Sequence, residues 1–572
     1  MRRLRNFLRS PLARHPHLLA RKVGARLHLY LEDIAVPTAP LSQVAYPAAW
    51  KAGLGKWTSG LSFRPGPFPF NRVFEQEFDE TTLLRLCREG PIRRGTGLET
   101  DIKLIWDYSR GHALFLNAAT APGEVADSVA FLRRWTAATA DKNGPAWTCA
   151  MDVAIRAMNW IFADVQHDGQ LSRAFGEAEW AARLWQHGWI IWRRLEARVI
   201  SSNHYLADLL GLLVVGSIFP SDVSAQRWRT FAAEEFPKAL QSQTHDDGGL
   251  DEASLRYHAF VTEMALLFRL ALGRSLPAAA EQRVRAMCQI VADFQQASGD
   301  VFPLGDDDSG RVLALDGAAE GGRASWLLKL AAVNIGEPFA AAPNAFYKRS
   351  GWWAQRAGDF TAALDFGGVG LRGLGAHAHN DDFSICLEWR SHPVIVDPGT
   401  FLYTGDPVAR NRLRSTALHS TLMIDGAEQH LLGRELFSLA GPSKAWPATH
   451  SAERGTVFTR KVGAVVHQRE MRLRKDGLWL RDVIEGAGRH QLQWFFQLHP
   501  DVRVVVEPGG WRLDVPGVGA LRLESPGTAL TLGLEPSSFS PGYSRLLPSQ
   551  ACSATTEIAL PTTVEWRVRV AD

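Results

Sequence analysis

The apolar residues of this chain change their period once, and that change constrains the fold more than any single motif. From about residue 125 to 335 they recur at helical spacing, in runs such as WTCAMDVAIRAMNWIFADV, NHYLADLLGLLVVGSIF, YHAFVTEMALLFRLAL and EQRVRAMCQIVADFQQ. Gly, Pro or Asp-rich turns separate the runs, which predicts an array of amphipathic helices. In WAARLWQHGWIIWRRLEARV, for example, Trp185, Trp189, Trp192 and Val199 fall on one side of a helix. After EPFAAAPNAFY the pattern becomes short alternating or β-branched segments: FTAALDFG, FSICLEW, PVIVD, TVFTRKVGAVVHQ, LWLRDVIEG and TTVEWRVRV. Gly and Pro punctuate them, as they do strands. A helical half followed by a β half predicts two domains, 1–340 and 341–572, each long enough to bury its own core.

Charge narrows the partners. Lys+Arg number 63 against 60 Asp+Glu, so no nucleic-acid footprint is present and an anionic ligand needs a local basic site. The 20 tryptophans offer faces for sugar rings, although core packing is the commoner use of Trp. Cys87, Cys149, Cys288, Cys386 and Cys552 are scattered, odd in number and without a CxxC pair, which predicts free buried thiols. The first 31 residues carry eight Lys/Arg before the first acid, Glu32, but lack the apolar run and small-residue cleavage site of a signal peptide. The expected localisation is therefore cytoplasmic, with periplasmic or cell-envelope association as the alternative. The basic arm is a candidate for peripheral contact with a membrane surface or an acidic glycan, a solvated tail or first helix being the commoner use. No apolar stretch has the length of a transmembrane segment, and the sequence carries no signal for oligomeric state.

Four clusters hold chemistry. In SSNHYLADLLGLL, Ser201 and Ser202 supply N-cap chemistry and Asn203 and His204 begin a helix. Backbone N–H groups there, with an Asn amide, suit a carboxylate, and an ordinary capping segment gives the same string. In HDDGGLDEASLRYHAF a Gly-Gly loop leads to Tyr257 and His258 at a helix start, where a phenol of ordinary pKa near 10 can be tuned as acid or base, or simply pack. In GLRGLGAHAHNDDFSICLEW, His377, His379 and Asp381 alternate, and if extended they share one face. Metal binding is one use of such a cluster, and Asp397 of VIVDPGTFLY and His419 of RLRSTALHST would complete a two-His, one-carboxylate set suited to Zn²⁺. FPLGDDDSG places Asp306, Asp307 and Asp308 together, as a solvated acidic turn or as carboxylates of a cleft.

These strings occur in one order: SSNH, then DGGLDEASLRYH from Asp247 to His258, the GDDDSG loop, GAHAHND from Gly375 to Asp381, VDPGT, and RSTALH from Arg414 to His419. With DIKLIWDYSR at 101–110, the set resembles the heparinase II/III superfamily of polysaccharide lyases, which includes heparin/heparan sulfate and alginate lyases. The resemblance implies a multidomain α+β chain, an incomplete (α/α) toroid followed by an antiparallel β-sandwich, with the active site between the halves. It implies β-elimination on an acidic, uronate-containing polysaccharide. Asn203 and His204 match the carboxylate-neutralising positions, Tyr257 the catalytic tyrosine and His377 the catalytic histidine. His379, Asp397 and His419 match metal ligands, with Zn²⁺ as the implied structural or site-organising ion. Glu252, His258, Asp307, Tyr403 and Arg414, within or beside the motifs, are taken as substrate contacts. Where many members have HNT the chain has His419-Ser420-Thr421, and HADxLSF appears as His379-Asn380-Asp381-Asp382-Phe383-Ser384. The absence of a secretion signal fits a role beside exopolysaccharide synthesis better than scavenging.

Two other readings compete. A glycoside hydrolase on a helical toroid would pair Asp247 or Asp251 with an aspartate of the GDDDSG loop, which leaves the Asn-His, Tyr-His and His-x-His sets without a use. A non-catalytic glycan-binding protein of exopolysaccharide assembly would keep the scaffold alone.

Overall fold

The computed structural model describes residues 37–39, 43–59, 61, 68–91, 93–94, 97–98, 100–313, 315, 322–433, 435–451, 455–527 and 529–571. The basic arm over residues 1–31 lies outside them. The architecture is an incomplete (α/α) toroid followed by an antiparallel β-sandwich. The chain forms two compact units, 1–244 with 259–288 and 310–339, and 245–258 with 289–309 and 340–572.

Thirteen α-helices precede residue 340 among the described residues, from Ala48–Thr58 to Arg323–Ile335. Their starts are written locally. Asp79, Asp101 and Asp222 sit at N-caps and accept from the backbone N–H of Thr81, Lys103 and Ala225, each such cap being worth about 1 kcal/mol. DIKLIWDYSR forms the helix Ile102–Ser109. Close packing is written locally too: a Cβ at Gly211 would collide with Ala154, so the helix Asn203–Ile218 meets the helix Ala150–Gln166 backbone to backbone. No helix of the described residues is long and apolar enough to cross a membrane.

One helix is shorter than its period predicts. Glu177–Arg194 ends before Leu195, whose φ and ψ of −40° and 125° leave the helical region, and Val199 is 38% exposed. The cause is tertiary, because Glu196 N–H donates to Asp208 Oδ2 at 2.6 Å, and a local period cannot register that bond.

The second unit is built from antiparallel sheets. Five strands follow chain order from Asn344–Tyr347 to His392–Ile395. An eight-stranded sheet runs from Ala448–Ser451 to Arg503–Glu507, with Thr562–Val570 between Gly477–Glu485 and Gly519–Glu524. A four-stranded sheet pairs Arg489–Gln497 with Leu422–Ile424 and Arg545–Ala559. Gly477–Glu485 alternates buried and half-buried residues, the period-2 signature of a sheet with one core face. The core includes Trp353, Trp389, Phe458, Trp494, Trp511 and Trp566. Sixteen of the 20 tryptophans are buried, so most serve packing rather than sugar faces. All five cysteines are free and buried.

Candidate active site

In the second unit the site begins at a helix start. Ser254 Oγ accepts from the backbone N–H of Tyr257 at 3.1 Å and donates to the carbonyl of Asp306 at 2.6 Å. One serine thus caps the helix Leu255–Leu272 and anchors the GDDDSG loop. Gly305 makes the approach feasible: its φ is +72°, and a Cβ there would run into the carbonyl oxygens of Ala253 and His377. The loop is not a solvated turn. Asp306, Asp307 and Asp308 are 0%, 9% and 8% exposed, because the backbone N–H groups of Asp306 and Asp307 donate to His377 O and Thr400 Oγ1 at 2.9 and 2.7 Å.

Asp306 is the hub. Arg410 binds it through two parallel hydrogen bonds of 2.8 Å, and His377 Nδ1 and His379 Nε2 each lie 3.0 Å from its oxygens. Burial alone would raise this carboxyl, but the Arg410 charge and the imidazole bonds outweigh it and hold it well below the usual carboxylate range. An ionised carboxylate only accepts, so its partners assign the protons to His377 Nδ1 and His379 Nε2.

The Tyr257 ring stacks on His377, with centroids 4.0 Å apart and planes at 23°. Its hydroxyl meets that of Tyr403 at 3.0 Å, and Arg410 lies over the Tyr403 ring at 4.4 Å. Burial pushes the Tyr257 phenol well above its ordinary value, and the charges of Asp308 and Asp306 push it further, which keeps it protonated. The Nε2 of His377 is 3.5 Å from Glu252 Oε2.

His379, Asp381, Asp397 and His419 form a buried group whose ligand atoms lie within 4.8 Å of one another and could hold a metal ion. The segment from His377 to Asp381 is irregular rather than a strand, so the expected single face does not exist: His377 turns to Tyr257, while His379 and Asp381 turn to this group. The donor chemistry fits a cation. His419 Nδ1 donates to Ser415 O at 2.8 Å, and His379 uses Nε2 on Asp306, so the lone pairs of His379 Nδ1 and His419 Nε2 face each other at 3.2 Å. Asp381 Oδ2 and Asp397 Oδ2 have no hydrogen-bond partner among the described residues, and Asp397 Oδ2 lies 3.4 Å from the same His419 Nε2. Facing lone pairs beside unpartnered buried carboxylate oxygens repel unless a cation lies among them.

The remaining expected residues of this unit are placed as follows. His258 and Glu252 are 0% and 1% exposed, and His258 packs against Trp352 at 5.7 Å. Arg414, 1% exposed, donates to the carbonyls of Ser438 and Leu436 at 2.6 and 3.4 Å. Asp307 accepts from Ser309 N–H at 2.7 Å and faces Arg256 at 3.6 Å.

Asn203 and His204 lie in the first unit, at the start of the helix Asn203–Ile218. Ser202 occupies the N-cap without a side-chain cap bond, and Ser201 Oγ instead exchanges 3.1 Å bonds with the backbone of Arg198, contrary to the expected serine capping. His204 Nδ1 meets Glu196 Oε2 at 2.9 Å. Although burial opposes it, the positive charge of His204 holds Glu196 at about 2.

Arg410 and Glu196 escape a reading of the sequence. Asp406, whose side chain accepts from Val408 and Ala409 N–H, and Pro407 mark the helix Pro407–Leu413, but nothing local says which of its arginines turns inward. Asp381 as a fourth member of the metal group could be found from its spacing to His379.

Comparison with known proteins adds the family. The heparinase II/III-like C-terminal profile matches residues 340–567 and the heparinase II/III N-terminus profile matches 137–307. No curated protein matches the sequence significantly. Among solved structures, heparinase III is similar over 96% of this chain and 89% of its own, at 15% identity and TM-score 0.66. Heparan sulfate lyase HepC from Pedobacter heparinus is similar over 99% of this chain and 93% of its own, at 17% identity and TM-score 0.57. These likenesses carry the fold, and the two profiles, covering the segments that hold the Asn-His, Tyr-His and His-x-His strings, carry the family: the chain belongs to the heparinase II/III superfamily of polysaccharide lyases.

Proposed function

We propose that the protein cleaves a uronate-containing acidic polysaccharide by β-elimination, with His377 as base and Tyr257 as acid. The observation that carries this division is the stacked Tyr257–His377 pair, in which burial keeps the phenol protonated while Asp306 accepts the hydrogen bond of the imidazole Nδ1–H and leaves Nε2 as the free base. Removing the C5 proton of a uronate pushes charge onto the neighbouring carboxylate, so that group must first be neutralised. Asn203 and His204 supply the amide and the positive charge. His377 then accepts the C5 proton at Nε2, and the resulting imidazolium is stabilised between Asp306 and Glu252. Tyr257 donates its proton to the departing O4, assisted by the Tyr403 hydroxyl, and the product carries an unsaturated uronate end. Asp307 and Tyr403 serve as sugar contacts, while the more deeply buried Glu252 lies beside His377, His258 packs on Trp352 and Arg414 is bonded to the Leu436 and Ser438 carbonyls.

His379, Asp381, Asp397 and His419 would hold Zn²⁺, whose charge compensates the buried carboxylates and fixes the segment that carries His377. Two of the carboxylates that the hydrolase reading could use are already engaged, whereas burial raises Asp251 to about 6 and leaves it for the assay below to decide. Asp247 accepts from Ser350 Oγ and from the backbone N–H of Arg349 and Ser350 at 2.5, 2.8 and 3.0 Å, and Asp306 is held by Arg410. Neither is left to exchange a proton.

The decisive assay incubates the protein with glucuronan, hyaluronan, heparosan, heparan sulfate, chondroitin and alginate and follows the ultraviolet absorbance of unsaturated uronate. A lyase gives absorbing ends, whereas reducing ends without absorbance identify a hydrolase and binding alone an assembly protein. On the active polymer, Tyr257→Phe should still exchange C5–H with deuterated solvent and His377→Ala should not. Exchange surviving in His377→Ala would reject histidine as the base.

A further inference from the structure

Cys149, Glu196 and His204 bring a sulfur, a carboxylate oxygen and an imidazole nitrogen into one triangle of the first unit. Sγ of Cys149 lies 3.7 Å from Glu196 Oε2 and 3.8 Å from His204 Nδ1, and the latter two are 2.9 Å apart. The residues come from three separate elements: Cys149 caps the helix Ala150–Gln166, Glu196 follows the helix Glu177–Arg194, and His204 stands in the first turn of Asn203–Ile218.

We propose that this triangle is a second cation site, selective for a soft or borderline divalent ion such as Zn²⁺ or Cd²⁺, and that its occupation inhibits the enzyme. The donor set of one thiolate, one imidazole and one carboxylate is the set such ions prefer over Mg²⁺ or Ca²⁺. The separations are those of neighbouring ligands around one ion with bonds of about 2.0–2.3 Å. The frame is held independently of any ion, since Asp208 Oδ2 fixes the Glu196 backbone at 2.6 Å and Met151 N–H donates to Glu196 Oε2 at 3.3 Å. An entrance exists, because the His204 side chain is 35% exposed while that of Glu196 is 16% exposed. Three protein ligands leave a further coordination position for water, as in sites that exchange their ion.

Coordination displaces the Cys149 thiol proton and the Nδ1 proton of the His204 imidazolium, both to solvent, and leaves a neutral ring protonated at Nε2. The net charge of the triangle is unchanged, but the positive charge now sits on the ion, enclosed by the Cys149 and Glu196 anions, and no longer on the imidazole that neutralises a substrate carboxylate. Only this inhibitory consequence rests on the function proposed above; the site itself does not.

The test uses the full chain with its resident metal. Cadmium chloride should raise a thiolate-to-cadmium charge-transfer band that saturates at one added equivalent and is absent from Cys149→Ser and Cys149→Ala. The group at His379 contains no sulfur, so this band reports the second site. In the lyase assay zinc chloride should inhibit, and the half-inhibiting concentration should rise at least about tenfold in Cys149→Ser. A missing band, a band unchanged in both variants, or equal zinc sensitivity in folded wild type and variant overturns the proposal. If no polymer is cleaved, the cadmium titration still decides whether the site exists.

Discussion

Asp306 and Arg410 are joined by two parallel 2.8 Å hydrogen bonds, with side chains 0% and 1% exposed. The same carboxylate also accepts from His377 and His379 at 3.0 Å and from Thr400 Oγ1 at 3.4 Å. One buried anion therefore orients both the proposed base and a member of the proposed metal group, and under that proposal stability, metal retention and turnover would share a residue.

Asp306→Ala strands the Arg410 guanidinium without its counter-charge, and the expected loss is about 3–5 kcal/mol in urea unfolding. Asp306→Asn keeps the shape but must donate through its amide where a carboxylate accepted. Metal release to a chelator should accelerate and kcat fall together, and a folded variant that changed only one of the two would break the proposed link.

Tyr257→Phe removes the hydroxyl that meets Tyr403 at 3.0 Å and leaves the ring stacked on His377. We expect kcat to fall by about 10²–10⁴-fold with little change in KM or in the thermal midpoint. Steady-state kinetics on the cleaved polymer would expose a mere packing role as a loss of stability without loss of rate.

Removal of the metal should lower the thermal midpoint, because an ion bound to the folded state alone stabilises it by mass action. Elemental analysis should find zinc in the wild type and little in His419→Ala or Asp397→Ala. Restored zinc should recover the midpoint of the chelated wild type but not of the variants.

The depressed Glu196 predicts a pH dependence. Its pKa falls from the ordinary 4.5 to about 2 in the folded chain, so its stabilising contribution is complete above about pH 4.5 and is lost as pH falls through about 2. The stability difference between wild type and Glu196→Gln, measured by denaturant titration, should be largest near neutrality and close across that interval.

Sequence alone determined the order of helices and strands, since the period of the apolar residues is set locally by which side chains can share a face. It also supplied the candidates Asn203, His204, Tyr257, His377, His379, Asp397 and His419, because each lies in a short string with its own spacing. Tertiary structure decided what these residues do to one another. Bonds spanning 71, 73 and 104 positions converge on Asp306, and no local pattern distinguishes that buried carboxylate from Asp307 or Asp308 beside it. The direction in which Arg410 turns, the split of His377 from His379 and the hold of Glu196 on His204 likewise depend on burial and on distant partners, which exist only once the chain has folded.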